Sequence, residues 1–322
     1  MSRTTAEIGG RATPARDDGG RFRVPGTRWL EARIDRRPAW FFLSPAVATL
    51  LLLSIFPFVY SLWLSFHQWN LSDRAAQWSF VGLGNYARIL LSDPYFWPAA
   101  RVTVAFLLVT ITLEFLLGLG IAVLVSQESR ALGAIQTVVV LPMMITPVVV
   151  GLIWRFMYNP DRGVINELLG MVGIQGPAWL GDASTGFWAV VVADVWEWTP
   201  FMALILLAAM QSLPREPLEA AVVDGASRWQ AFRSIVLPLL RPAIAVALLL
   251  RGIDAFKTFD LIYVMTQGGP GTSTQVLSLY TYKWGFKFFE MGYAAALAYV
   301  MLLAVDVAAT VGVRAMGRPT GE

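Results

Sequence analysis

Long apolar runs alternate with short polar ones along most of this chain. Six runs, at roughly 40–66, 102–126, 134–157, 186–210, 241–265 and 291–313, are long enough to cross a bilayer; a spanning helix needs about 20 apolar residues. The fifth run is the least apolar, interrupted by Arg251, Asp254, Lys257 and Asp260. Pro142 and Pro147 in the third run and Pro200 in the fourth predict kinked helices. The expected fold class is therefore all-α and integral to the membrane, with six transmembrane helices.

The polar stretch 212–240 has its own helical chemistry. Ser212-Leu213-Pro214-Arg215-Glu216-Pro217 places prolines and an acid where a helix begins. That helix is expected to run through Val223 and stop at Asp224-Gly225, the glycine supplying a left-handed residue. Ser227 with Gln230 three residues on fits a capping box that restarts a helix through Val236. Pro238 and Pro242 mark the passage into span five. The product is a two-helix hairpin, which serves either as a solvated connection or as a docking surface. Ala220, Ala221 and Ala226, beside the turn, are small enough for close backbone approach by another protein.

Composition supports lipid as the solvent. Of 322 residues, 56% are hydrophobic and 15% charged, against about 25% charged in soluble domains. Cysteine is absent and His67 is the single histidine, which excludes disulfides, thiolate nucleophiles and a histidine metal cluster; no metal and no catalytic residue is expected. Segments before span one, between two and three, between four and five, and after six hold 16 Lys and Arg, Arg241 included; the other side holds six. Both termini and the hairpin are thus expected in the cytoplasm. Nine of the arginines lie before residue 38 in a Gly/Pro-rich tail, a charge better suited to membrane orientation than to nucleic acid.

Ionisable groups inside a membrane are candidate functional sites, because their charge is costly there. Asp194, Glu197, Trp198 and Phe201 fall at i, i+3, i+4 and i+7 of span four and share a face. Asp254 and Thr258 share a face of span five, and Asp254 is in reach of Arg251 or Lys257. Acids beside aromatic rings suit a sugar, whose hydroxyls need acceptors and whose C–H face packs on a ring. The charges of span five also suit a structural ladder of ion pairs. Arg155 and Asp306, near span ends, are expected to snorkel, and Glu114 in span two has no evident partner.

Glu219-Ala220-Ala221, Asp224-Gly225-Ala226, Phe232, Ile235, Leu237-Pro238-Leu239 and Pro242 form an ordered pattern. It resembles the signature loop of permease subunits in ATP-binding-cassette importers. Pro57, Tyr60-Ser61, Phe80-Val81-Gly82-Leu83, Asn85-Tyr86, Leu141-Pro142 and Asp260-Leu261-Ile262-Tyr263-Val264 extend the likeness to the carbohydrate branch, near the larger maltose permease subunit. The resemblance implies a type I permease fold with a cytoplasmic coupling hairpin, and ATPase coupling through Glu219, Ala220, Ala221, Asp224, Gly225 and Ala226. It also places Asp194, Glu197, Trp198, Phe201, Asp254, Thr258 and Met143 at substrate-binding positions.

The implied partners are a second homologous permease, a dimeric cytoplasmic ATP-binding-cassette ATPase, an extracytoplasmic solute-binding protein, a carbohydrate and the lipid bilayer, without nucleic acid. No Gly-Lys pair occurs in the chain, so no phosphate loop is present. The chain is expected to need no cofactor, to hydrolyse no ATP itself, and to sit multi-pass in the cytoplasmic (inner) membrane. The expected division is a basic tail at 1–39, the first helix and external loop at 40–97, a core transmembrane domain at 98–314 and a short tail at 315–322. The competing expectation is a secondary transporter driven by an ion gradient, with the intramembrane acids as a proton relay.

Overall fold

The computed structural model describes residues 38–73, 78–126 and 139–316. Residues 1–37 of the expected basic tail, residues 134–138 of the third run and the last six residues lie outside them. The chain divides into two compact units, Met1–Ser61 and Leu62–Glu322.

Among the described residues five helices are long and apolar enough to span a bilayer: α1 (Phe42–Ser65), α2 (Phe96–Val125), α5 (Ala183–Gln211), α7 (Arg228–Phe256) and α10 (Met291–Arg314). Shorter helices lie between them: α3 (Pro147–Met157), α4 (Val164–Met171), α6 (Glu216–Val223), α8 (Asp260–Met265) and α9 (Leu277–Tyr282). A two-stranded antiparallel ribbon pairs β1 (His67–Gln68) with β2 (Ser79–Phe80).

Two predicted spans are interrupted. In the third, a turn at Pro142–Met144 gives way to extended backbone at Ile145 and Thr146 before Pro147 opens α3. A residue before proline is pushed out of the helical region, and proline has no N–H to continue the ladder. The expected kink at Pro142 and Pro147 is thus a full break, and α3 alone covers 11 residues, about 16 Å. In the fifth, α7 ends at Phe256 and α8 begins at Asp260, whose carboxylate suits a helix N-terminus. Arg155 of α3 donates to the carbonyl of Val264 in α8 at 3.0 Å; it braces one broken span against the other rather than only snorkelling. Pro200, by contrast, lies inside an unbroken α5.

The core centres on α5, whose inner face buries Ala189, Val190, Val191 and Ala193 against Phe106 of α2, Val150 of α3 and Leu261 and Ile262 of α8. In lipid such contact depends on close packing and small residues. Gly118 of α2 supplies it: a Cβ there would stand 2.6 Å from Cβ of Met202 and 3.0 Å from the backbone nitrogen of Ala203. Asp182 caps α5, and the Ser184 hydroxyl and N–H hold its exposed carboxyl below the usual range.

Candidate functional site: a coupling hairpin and a charged cavity

The hairpin forms as its local chemistry predicts. The α6 helix ends in a paired closure, with Ala226 N–H on the Ala221 carbonyl at 2.9 Å and Gly225 N–H on that of Val222 at 3.1 Å. Gly225 takes φ +77°, and a Cβ there would meet nothing within 4 Å. Ser227 and Gln230 complete the capping box at 3.3 and 2.8 Å. The restarted helix does not stop at Val236: it passes through a π-helical turn at Phe232–Val236 directly into span five. From Arg228 to Arg251 this one helix is about 35 Å long.

Of the three small residues expected beside the turn, Ala220 is exposed, Ala226 half-buried and Ala221 buried. Ala221 is buried and its carbonyl is used inside the closure. Exposed at the tip are Val222 and Val223, 72% and 87% accessible, and Trp229, stacked on Phe232. Glu219, Ala220, Asp224 and Gly225 are also exposed, with Ala226 half-buried.

At the other end of the same helix, Arg251 is enclosed. It donates through Nε and Nη2 to Glu114 of α2 at 2.8 and 2.9 Å, through Nη2 to Asp194 of α5 at 2.5 Å, and through Nη1 to Asp254 at 3.1 Å. The Trp198 ring lies 4.9 Å from the guanidinium carbon. Glu114, Asp194 and Arg251 are each no more than 1% exposed. Buried charges persist in this way when paired and hydrogen-bonded. Glu114 therefore has a partner, and Arg251, unassigned by sequence spacing except toward Asp254, is the hub.

Beside this hub opens a cavity of about 210 Å³ walled by Pro147, Asp194, Glu197, Trp198, Asp254, Lys257, Thr258, Phe259, Asp260 and Leu261. Both broken spans contribute: Pro147 opens α3, and Lys257 to Phe259 form the break between α7 and α8. Of the residues predicted for substrate, Asp194, Glu197, Trp198, Asp254 and Thr258 meet here. Phe201 stands outside the wall, edge-on to Trp198 at 6.2 Å between centroids. Met143 lies in the turn before α3, and Pro147 takes the wall position from that span. Glu197 is 1% exposed and its Oε2 has no hydrogen-bond partner among the described residues.

Residues 114–316 match the family model of the binding-protein-dependent transport system inner membrane component. The chain belongs to this family. The matched span opens at Glu114 and so takes in the hub, the cavity and the hairpin. The chain is 41% identical over 264 residues to a probable ABC transporter permease protein, y4oQ, of Sinorhizobium fredii, covering 82% of this chain and 85% of that one. It is 37% identical over 283 residues to the trehalose/maltose transport system permease protein MalF of Thermococcus litoralis, covering 87% and 93%. Among solved structures it resembles a chain of a bacterial ABC transporter involved in import of the acidic polysaccharide alginate. That likeness has a TM-score of 0.77 at 23% identity and covers 91% of this chain and all of that one; it shows the shared fold. This permease is accordingly a multi-pass inner-membrane component of an ABC importer.

Proposed function

We propose that the chain is one of two permease subunits of a carbohydrate importer, with its cargo path beside the hub and its drive entering at the hairpin. The cargo class follows that of its relatives, a trehalose/maltose transport system permease among them, and suits the cavity, where carboxyl groups, a hydroxyl and an indole line one wall. At about 210 Å³ the cavity is below the roughly 300 Å³ of a full ligand site, consistent with a second permease supplying the facing wall. A solute-binding protein would deliver cargo from outside, and an ATPase dimer would hydrolyse ATP on the cytoplasmic side, the side on which the excess of basic residues is expected.

The observation that carries this reading is the unbroken helix from Arg228 to Phe256, which joins the hairpin to the hub. A cleft that grips Val222, Val223 and Trp229 would move that helix as a rigid rod, and Arg251 would pass the movement to α2 and α5. This is rigid-body switching between two arrangements. Breaks in two spans also fit an ion-coupled transporter, but such a protein has no use for the hairpin.

Replacing Gly225 by Asp tests the drive. A Cβ there meets nothing within 4 Å, and the left-handed φ of +77° costs an aspartate about 1–2 kcal/mol confined to the turn, so insertion should persist while cargo-stimulated ATP hydrolysis and uptake are lost together. Undiminished uptake would refute the docking role.

A further inference from the structure

Arg251 has little left to offer a ligand. Its Nε, Nη1 and Nη2 are committed to Glu114, Asp254 and Asp194, its ring-like face is covered by Trp198, and its side chain is 1% exposed. A guanidinium recognises an anion through a fork of free N–H groups, and here the fork is closed on the protein's own carboxylates.

The cavity wall beyond it carries Asp194, Glu197, Asp254 and Asp260 against Lys257. Asp254 and Asp260 stand three residues to either side of that lysine. With Glu114 behind the wall, five acids face two bases, so the formal charge with every group ionised is negative and stays so when Glu197 alone holds a proton. Glu197 Oε2 is buried in the same wall without a partner among the described residues, and a buried oxygen of that kind is costly unless something donates to it. A hydroxyl or an ammonium can donate; a carboxylate or sulfate cannot.

We propose that the cavity selects its cargo by charge, admitting neutral or amine-bearing saccharides and polyols and rejecting anionic ones, with Glu197 as the direct contact to a cargo O–H or N–H. The proposal rests on the reading that this cavity takes the cargo. Commitment of Arg251 by Glu114 and Asp194 is what gives the site its sign, since a released guanidinium would serve an acidic sugar.

The test uses the complete importer in proteoliposomes, with both permeases, ATPase and solute-binding protein. The probes are neutral sugars and polyols, their uronic acids and their amino derivatives. The saccharide taken up fastest and its two differently charged analogues are then compared with the binding protein saturated by each. A neutral or amino compound should be fastest, and its uronic acid slower by at least about tenfold, equivalent to about 1.4 kcal/mol. Glu197→Gln should slow the amino analogue more than the neutral one, and Asp254→Asn with Asp260→Asn should narrow the gap to the uronic acid. A uronic acid carried as fast as its neutral analogue would overturn the charge selection. Discrimination that persists while all three substitutions leave every rate unchanged would instead show that the cavity is not the cargo site.

Discussion

Arg251 and Glu114, 137 residues apart in sequence, meet as a two-point fork, Nε on Oε2 at 2.8 Å and Nη2 on Oε1 at 2.9 Å. The pair joins α2 to the helix that rises from the coupling hairpin. Asp194 closes the same guanidinium onto α5. One arginine thereby holds three helices in register where the cavity begins.

Removing Glu114 leaves Asp194 and Asp254 to balance Arg251 but takes the buried acceptor from its Nε and one from Nη2, each such loss costing about 1–3 kcal/mol. Glu114→Ala should therefore lower the thermal stability of the detergent-solubilised complex sharply. Glu114→Gln, which retains an acceptor, should cost less. Equal melting temperatures for wild type and Glu114→Ala would remove the fork from any structural role.

Gly118 lies one helical turn from Glu114, and its missing side chain lets α2 approach Met202 and Ala203 of α5. Gly118→Val has no room without separating the two helices. Reduced accumulation of assembled complex, read by size-exclusion chromatography, is the expected outcome. A normal yield with a normal profile would show that α2 and α5 tolerate a wider spacing.

Ser227→Ala removes one half of the capping box, a loss of about 1 kcal/mol of helix stability. Faster amide hydrogen exchange is expected over 228–231, with little change in the middle of α7. Coupling should weaken rather than vanish, seen as fewer cargo molecules imported per ATP hydrolysed. Exchange unchanged at the start of the helix would mean that the box contributes nothing there.

The hairpin was legible because its determinants are local. Ser227 and Gln230 are three residues apart, and Gly225 closes a helix whose partners lie within five residues. Membrane spans were legible from apolar length, apart from the breaks at 145–146 and 257–259, which hydropathy averages over. Five cavity residues were recovered from helical spacing and family likeness. The pairing of Glu114 was not, since its partner comes from a helix far along the chain, and spacing reports only neighbours on one helix. Ala221 shows the reverse case: its smallness suggested an outward docking face, whereas the folded turn uses it inside and leaves Val222 and Val223 outside.

The transmission of force through the hairpin is tested most directly by a single cysteine at Val223, introduced into a chain that has none. That position is 87% exposed and adjoins the closing turn. In the assembled importer, Val223→Cys should crosslink to a cysteine scanned through the ATPase cleft, stop uptake, and allow it to resume when the bond is reduced. A complex that imports normally while no ATPase position ever captures this cysteine would contradict the account.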